Sequence, residues 1–278
     1  MLFTIIIPTC NRNDLLSLCL KKLDSSVQDI SFDEYEVIVT DDSKDNRAKL
    51  LINEEYKWAK WVSGPKQGPA ANRNNGAKYA NGEWLIFIDD DCLPGANILN
   101  EYKKAIKDNI SCLAFEGAIL PDNWELLKKD MAECPTNVDG GCFWSANICI
   151  NKYLFFKIKG FDEDFKIAAQ EDQLIYHNIR KENVVIFIST ATVTHPVRFI
   201  SLRNKIKNNK ASLRNWFVYT QKIGTKPYKA FTNGFISQFK DMKVNLISYK
   251  PQKTLLNIYI LFIGLPILIL HYVKNKSK

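Results

Sequence analysis

The chain has 278 residues, of which 46% are hydrophobic and 24% charged, and this composition excludes a disordered or fibrous protein. Its seven cysteines form no CxxC pair, which argues against a disulfide framework and against a structural zinc site. The net charge of +8 is divided unevenly, because 16 of the 38 basic residues but one of the 30 acids follow residue 196. Residues 197–278 therefore carry +15 and residues 1–196 carry −7, which predicts two domains with different functions.

Short apolar runs alternate with helical patterns along the first hundred residues. The predicted strands cover 2–8, 35–43 and 83–88, and the predicted helices cover 13–23, 45–60, 69–80 and 97–107. Strands that alternate with helices predict a doubly wound α/β sheet with mainly parallel strands. The pattern after residue 110 is more mixed, with predicted strands at 111–120, 142–150 and 184–189 and a helix at 169–183.

Acidic side chains follow two of these strands at the point where each strand ends. They are Asp41 and Asp42 after the second strand, and Asp89, Asp90 and Asp91 after the third. The carboxyl ends of parallel strands lie at one edge of a sheet, where a divalent cation would offset the repulsion between carboxylates. Capping of the next helix explains one aspartate at each position, but it does not explain three in a row.

Five segments of the chain occur in an order that is typical of one enzyme family. They are "TIIIPTCNR" (4–12), "VIVTDDSKD" (37–45), the stretch 66–94 that contains "FIDDDC", the stretch 141–165 that begins "GCFWSAN", and "QEDQLIYHNIR" (170–180). In this order and spacing they resemble the family 2 glycosyltransferases with the GT-A fold. The resemblance covers roughly the first 195 residues and implies a mixed, mainly parallel sheet and a nucleotide-sugar donor.

The resemblance also implies a divalent cation, Mn²⁺ or Mg²⁺, at the aspartate triplet. Asp91 matches the last member of the family's DxD motif and is expected to be a direct ligand. Asp89 and Asp90 are expected to hold the ribose of the donor or the water molecules on the metal. His195 would complete the metal site, although a lone histidine is also often structural. Such a cation would stabilise the charge that develops on the leaving diphosphate.

The nucleotide is expected to contact the ends of the first two strands. By resemblance, Pro8 and Thr9 lie against the base, and Asp42, with Asp41 beside it, accepts hydrogen bonds from uracil and ribose. The donor is therefore expected to be a UDP-sugar. Arg73 matches a family arginine near the nucleotide, although its chemistry equally fits an ordinary arginine on a surface helix.

Catalysis requires a base that takes the proton from the attacking acceptor hydroxyl. The "QEDQ" segment matches the family's ED motif, so Asp172 is expected to be the base and Glu171 to orient the acceptor. Acids in a first helical turn also suit the helix dipole, which is their structural alternative. Trp144 is expected to contact the acceptor, or else to be a core residue. One base and one displacement would invert the anomeric centre.

The segment 254–273 is almost wholly apolar and is long enough to cross a bilayer. Asn257, Gly264 and Pro266 weaken that interpretation, so the segment either crosses the membrane, lies in the interface as a bent helix, or is a core helix. Its basic surroundings favour an anionic membrane, and no nucleic-acid partner is expected. We expect residues 197–278 to form a basic helical region at the cytoplasmic face of the cell membrane.

The sequence thus predicts an inverting, metal-dependent glycosyltransferase that acts on a glycan or lipid-linked acceptor in surface polysaccharide synthesis. One alternative is a catalytically inactive relative that binds a membrane or nucleic acid, but the intact aspartate triplet and Glu-Asp pair argue against it. A nucleotidyltransferase is a further alternative, since it would share the fold class and the cation. No Walker-type loop or GxGxxG fingerprint indicates ATP hydrolysis or NAD binding.

Overall fold

A computed structural model describes residues 1–276, and its backbone divides into two units, each with its own internal packing. The first unit comprises residues 1–122 and 135–196, and the second comprises residues 123–134 and the chain from Val197 onward. The sequence-based bounds of 1–196 and 197–278 stay a prediction. They differ from the two units only in residues 123–134.

Ten strands and twelve α-helices make up the described chain. The strands are β1 (Phe3–Thr9), β2 (Tyr35–Asp41), β3 (Ala59–Ser63), β4 (Trp84–Ile88), β5 (Leu93–Pro94), β6 (Ala114–Pro121), β7 (Ala132–Glu133), β8 (Asn147–Asn151), β9 (Ile186–His195) and β10 (Arg198–Phe199). The helices are α1 (Asn13–Lys22), α2 (Ser25–Gln28), α3 (Arg47–Glu55), α4 (Pro69–Lys78), α5 (Ile98–Asp108), α6 (Trp124–Leu127), α7 (Lys152–Lys157), α8 (Glu171–Ile179), α9 (Leu202–Lys222), α10 (Pro227–Ile247), α11 (Pro251–Tyr259) and α12 (Leu265–Lys276). One π-helical turn, Ile260–Gly264, joins α11 to α12.

Eight of the strands form one mixed sheet in the order β3-β2-β1-β4-β8-β6-β9-β5. Parallel pairs join β1 to β2, β1 to β4, β2 to β3 and β6 to β9. Antiparallel pairs join β8 to both of its neighbours and β5 to β9. The predicted fold class, a doubly wound and mainly parallel mixed sheet, is confirmed.

Helices cover both faces of the sheet, and side chains of β1 point alternately into the buried cluster on each face. Phe3, Ile5 and Ile7 belong to one buried cluster, and Ile6 belongs to the other. Helices α1, α3 and α5 supply the first cluster, whereas α4, α7 and α8 supply the second. Since successive residues of a strand point to opposite faces, a strand buried on both sides must be apolar throughout, as "FTIIIP" nearly is.

Several predicted elements have different bounds in the structure; the predicted strand 142–150, for example, begins only at Asn147, as β8. The predicted helix 45–60 ends at Glu55, and residues 59–63 form β3 beside β2. Ala59 and Val62 are buried while Lys60 and Ser63 are exposed, so pairing with the sheet overrides the helical pattern. The last strand runs to His195 rather than ending at residue 189, because a register shift at Gly117 and Ala118 lets β9 continue beside β6.

The second unit consists mainly of helices α9 to α12. Phe217 of α9 stacks on Phe231 of α10 with ring centroids 5.1 Å apart, and Tyr272 of α12 meets Phe217 edge-on at 5.1 Å. Asn257 of α11 accepts a hydrogen bond from Asn245 Nδ2 of α10 at 2.9 Å. Within the described residues, one continuous helical segment, 251–270, is long and apolar enough to cross a membrane by length and composition.

A buried carboxylate on β6 fixes the loop that precedes β8. Glu116 is 2% exposed and accepts hydrogen bonds from the backbone N–H groups of Gly141, Cys142 and Phe143 at 2.5–3.1 Å. It also accepts one from Asn137 Nδ2 at 3.0 Å. Phe143 has a left-handed backbone (φ 45°), which a side chain rarely adopts without such support.

Replacing this carboxylate by an amide is expected to destabilise the first unit. In Glu116→Gln the amide NH₂ would face backbone donors, so the free energy of unfolding should fall by about 1–3 kcal/mol. Urea denaturation followed by tryptophan fluorescence measures the change. Glu83→Gln, at an exposed position of the same unit, is the matched control and should change stability little. Equal stability of the two variants would contradict the role given to Glu116.

Candidate active site

The acidic residues predicted from the sequence do meet at one edge of the sheet. Strand β1 lies between β2 and β4, so its last residue, Thr9, is between Asp41 and the aspartates that follow Ile88. Thr9 Oγ1 donates a hydrogen bond to Asp90 Oδ2 at 2.7 Å. The first three parallel strands therefore place both acidic clusters on the same side of the sheet, where ligands of doubly wound folds bind.

Asp90 is the most enclosed member of the triplet. It is 0% exposed, and besides Thr9 it is bound by Arg12, whose Nε donates to Asp90 Oδ2 at 3.0 Å. Burial raises the pKa of Asp90 to about 6, although the charge of Arg12 and the Thr9 hydrogen bond act in the opposite direction. Arg12 Nη1 also donates to Asp91 Oδ2 at 3.1 Å.

Arg12 is a site residue that the sequence motifs did not indicate. It is the last residue of the segment 4–12, three residues after the end of β1, and its side chain is 39% exposed. Because β1 and β4 are parallel neighbours, an arginine just after β1 could have been expected to form an ion pair with the aspartates just after β4. Arg12 supplies a positive charge shared by Asp90 and Asp91.

A second arginine links the triplet to α8. Arg73 of α4 is 4% exposed, its Nη2 donates to Asp89 Oδ1 at 2.7 Å, and its Nη1 donates to Glu171 Oε1 at 3.2 Å. Its guanidinium lies over the Phe161 ring, 5.6 Å from the centroid. Burial acts to raise the pKa of Asp89, but the charge and the hydrogen bond of Arg73, together with the charge of Arg12, lower it, so this pKa lies below its ordinary value. Both terminal nitrogens of Arg73 are bound to carboxylates, and its predicted contact with a nucleotide stays a prediction.

Asp172 is the second residue of α8 and is partly buried. Burial and then the negative charge of Glu171 raise the pKa of Asp172 to about 7, although the Arg73 charge lowers it. A carboxyl group that titrates near neutrality suits a general base. Glu171 itself binds Arg73 through Oε1 and accepts from the Ala169 N–H through Oε2 at 2.8 Å. Both Glu171 oxygens are thus held by the protein, which fits a positioning role better than contact with an acceptor.

His195, at the end of β9, lies beside Asp91. Its Nε2 is 3.6 Å from Asp91 Oδ1, and its Nδ1 is 2.9 Å from the carbonyl oxygen of Pro196. A proton on Nδ1 would donate to that carbonyl and leave the Nε2 lone pair facing Asp91. Together with the Cys92 thiol, these side chains offer three ligand atoms within 4.8 Å of one another.

The donor set fits a divalent cation at Asp91 and His195. A carboxylate oxygen suits both Mg²⁺ and Mn²⁺, and an imidazole nitrogen suits Mn²⁺. Cys92 fits less well, because Mg²⁺ and Mn²⁺ prefer oxygen and nitrogen ligands to the soft sulfur of a thiol. We therefore place the candidate metal site at Asp91 and His195 and not at Cys92.

At the end of β2, Asp41 and Asp42 differ in burial and in the hydrogen bonds that they accept from the protein. Asp41 is 2% exposed and accepts hydrogen bonds from the Ser43 N–H at 2.8 Å and from Trp61 Nε1 at 3.2 Å. Asp42 is partly buried and accepts from the Lys66 N–H at 2.7 Å. Burial raises the pKa of Asp42 in spite of that bond. Of the two, Asp42 is the better placed for an additional partner.

The remaining predicted site residues lie in two places. Pro8 and Thr9 are buried at the end of β1, with the Thr9 hydroxyl turned toward Asp90. Trp144 is half-buried and packs against the core, as its structural alternative predicted, while part of the ring stays accessible. Its loop is tied to α8 by Gln173, whose Nε2 donates to the Cys142 carbonyl at 2.7 Å. The roles assigned to these residues stay predictions.

The fold is a mixed, mainly parallel α/β sheet with an acidic site at its strand ends, and comparison with known sequences gives the family. The sequence model of "Glycosyl transferase family 2" matches residues 4–175, so the chain belongs to this family. The UDP-Glc:alpha-D-GlcNAc-diphosphoundecaprenol beta-1,3-glucosyltransferase WfgD of Escherichia coli is 30% identical over 237 residues, which are 78% of this chain and 85% of that protein. Three further relatives, from Campylobacter jejuni, Bacillus spizizenii and Haemophilus influenzae, match this chain over only 18–29% of their own lengths.

Solved structures show the same fold. Staphylococcus aureus TarS 1-349 in complex with UDP-GlcNAc superposes with a TM-score of 0.61 at 21% identity, over 83% of this chain and 70% of that one. The mannosyltransferase PcManGT of Pyrobaculum calidifontis, in complex with GDP-Man and Mn²⁺, gives a TM-score of 0.61 at 17% identity, over 93% and 84%. The resemblance to the family and its GT-A fold, drawn first from five sequence segments, is confirmed.

The raised pKa of Asp172 predicts how transfer depends on pH. If Asp172 is the base, only its ionised form accepts the proton, so kcat/KM should fall toward acid with a midpoint near pH 7. Glu171→Gln removes a negative charge that raises the Asp172 pKa, so the midpoint should move to lower pH. Steady-state kinetics across neutral pH measure both profiles.

The control for Glu171→Gln is a variant that loses a glutamate carboxylate away from the site. Glu182→Gln, whose side chain is 67% exposed and paired with Lys157, should leave the midpoint where it is in the unmodified enzyme. A Glu171→Gln midpoint equal to or above that of the unmodified enzyme would show that Glu171 does not raise the Asp172 pKa.

Proposed function

We propose that this chain is an inverting glycosyltransferase that moves a sugar from a UDP-sugar to a hydroxyl group of a glycan or lipid-linked acceptor in surface glycan synthesis. The observation that carries the proposal is the convergence of the aspartate triplet, His195 and the Glu171–Asp172 pair at one sheet edge, connected through Arg73. Membership of glycosyl transferase family 2 supports the reaction class.

The donor side of the proposal rests on the charges at the strand ends. Asp91 and His195 would hold Mn²⁺ or Mg²⁺, which when bound supplies charge stabilisation to the leaving diphosphate. Arg12, which is partly exposed beside Asp91, is positioned to add a guanidinium to the same oxygens. A structural relative crystallised with Mn²⁺ and a nucleotide sugar supports this assignment. The half-buried Asp42 would accept from the base and ribose.

The acceptor side rests on Asp172. This carboxylate would take the proton of the acceptor hydroxyl as its oxygen bonds to the anomeric carbon and the bond to the diphosphate oxygen breaks. The products are the glycosylated acceptor, with the anomeric configuration inverted, and a nucleoside diphosphate. Glu171, held by Arg73 and the Ala169 N–H, fixes the start of α8 and thereby the position of Asp172. No other carboxylate of the site is assigned as a nucleophile, as a double displacement would require, so the proposed reaction is a single displacement.

Donor identity and acceptor class are supported by the relatives. The Escherichia coli relative is named for UDP-Glc and a diphosphoundecaprenol-linked acceptor, and the Staphylococcus aureus structure contains UDP-GlcNAc. A lipid-linked diphosphate is an anion, and the chain after residue 196 carries a net charge of +15. The proposed location is the cytoplasmic face of the membrane.

Two aspartate variants test the proposal in one experiment. Asp91→Asn is expected to weaken Mn²⁺-dependent UDP binding by about tenfold or more, because a neutral amide is a poor ligand for a hard cation. Asp172→Asn is expected to keep UDP binding and to lower transfer by about 10²–10⁴-fold, because the amide does not accept the proton. Isothermal titration with UDP, with and without Mn²⁺, and release of UDP during transfer are the two measurements.

Asp108→Asn, at the exposed end of α5, serves as the control and should retain both properties. Unchanged Mn²⁺-dependent binding in Asp91→Asn would remove Asp91 from the metal site. Near-normal transfer by Asp172→Asn would show that another group is the base.

Membrane attachment gives a separate prediction. The full-length chain should sediment with membranes at both low and high salt, because burial of apolar surface does not depend on ionic strength as the basic charge does. Fractionation of cell lysates without detergent measures this. If the full-length chain is soluble at low salt, segment 254–273 is a core helix and the attachment is wrong.

A further inference from the structure

The apolar segment at the end of the second unit is buried on one face only. The buried residues of its central part are Asn257, Ile260, Leu261, Gly264 and Leu265. The exposed apolar residues of the segment are Leu255, Ile258, Phe262, Ile263, Ile267 and Leu270, with exposures of 40–72%. These six residues are called the apolar row. A helix surrounded by lipid would be exposed on all sides, whereas this one has a protein face and an apolar outer face.

Helix α9 covers the protein face at the π-helical turn. A Cβ atom on Gly264 would lie 2.7 Å from Asn209 Nδ2 and 3.0 Å from Leu213 Cδ1, so the backbones of the two helices approach closely at this point. Lys210, the neighbour of Asn209, is exposed and lines a cavity of about 150 Å³ together with Gly264 and Ile267. The charged middle of α9 therefore lies against the middle of the apolar segment.

Helix α10 covers the same segment about two turns earlier, at Asn257. Asn257 Nδ2 donates to Gln238 Oε1 at 2.8 Å, and Asn245 Nδ2 donates to Asn257 Oδ1 at 2.9 Å. The stretch of α10 between these partners includes the exposed charges of Lys240, Asp241 and Lys243.

These contacts are incompatible with a segment that crosses the bilayer. If residues 251–270 spanned the membrane, Gly264 would carry α9 into the hydrocarbon with it, and α9 contains six basic residues in 21. Lysine and arginine near the centre of a bilayer are strongly unfavourable unless their ends reach the interface. A segment that lies along the surface exposes only the apolar row to lipid and leaves α9 in water.

We infer that α11 and α12 lie along the surface of an anionic bilayer, with the apolar row inserted and both ends of the segment on the cytoplasmic side. The inference rests on the membrane attachment in the proposed function and specifies its geometry. Charge complementarity indicates which partner contacts the apolar row. With a net charge of +15 after residue 196, this region would repel the same region of a second copy, whereas an anionic lipid surface attracts it.

The topology of the chain end tests this geometry. A protease-cleavable epitope appended after Lys278 is followed in cells that express the full-length chain. The epitope should be protected in intact spheroplasts and cleaved in inverted membrane vesicles, because an interfacial helix keeps both ends on one side. Cleavage in intact spheroplasts would show a spanning segment and would overturn the inference.

A point variant tests the apolar row itself. Phe262 is 72% exposed, so Phe262→Glu alters the outer face without a core contact. It should bind vesicles of phosphatidylglycerol and phosphatidylcholine about tenfold more weakly or worse in a flotation assay, because it loses one buried aromatic side chain. Tyr153→Glu, in the first unit and 73% exposed, is the matched control and should bind as the unmodified chain does.

The outcomes separate this inference from the proposed function. Equal vesicle binding by Phe262→Glu and the unmodified chain would remove the row from the membrane contact. A concentration-dependent dimer of the unmodified chain that Phe262→Glu dissociates would identify a second copy as the partner that contacts the row. Release of UDP during transfer, measured on the same preparations with soluble acceptor, reports the proposed function independently. Failure of transfer with normal flotation would therefore overturn the function and leave the surface geometry intact.

Discussion

The buried ion pairs of Arg73 hold the site together. Several carboxylates at one sheet edge repel one another and are costly to remove from water, so the edge requires positive charge that belongs to the protein. Arg73 provides it from within the fold, with one terminal nitrogen on Asp89 and the other on Glu171. The first of these acids follows β4 and the second begins α8, so one guanidinium connects the proposed donor side to the proposed acceptor side.

The composition of α4 explains how an arginine comes to be buried there. Gly76 lies against the sheet, where a Cβ would be 2.5 Å from Ile6 Cγ2, and Ala70 and Ala77 are buried beside it. These small residues allow the helix to approach the strands closely. Asn72 then receives a hydrogen bond from Thr40 Oγ1 at 2.7 Å, and Asn74 donates to the Phe161 carbonyl at 2.8 Å. The polar side of "PAANRNNGAK" is thus internal, which its low amphipathicity in the sequence does not reveal.

The sequence predicted those parts of the fold that depend on local pattern. Apolar runs followed by acids identified β2 and β4, and their parallel order placed Asp41 and the aspartate triplet at one edge. It did not predict contacts that depend on register and on distant helices. His195 reaches Asp91 because β9 pairs with β5, just after the triplet, and the Arg73 bridge depends on where α8 begins. β3 was missed because its residues continue a helical pattern until pairing with β2 decides their conformation.

The three consecutive aspartates have three different environments, and this is a physical reason for the triplet. Asp89 is bound to Arg73, which lowers its pKa and keeps it ionised as part of the structure. Asp90 is buried under Thr9 and Arg12, with a pKa raised to about 6, so it joins the end of β1 to the end of β4. Asp91 lies beside the imidazole of His195 and so is the member best placed to share an ion with it. A single carboxylate cannot bind Arg73 of α4 and Thr9 of β1 and also face His195. Successive residues that point in different directions after a strand divide these contacts among them.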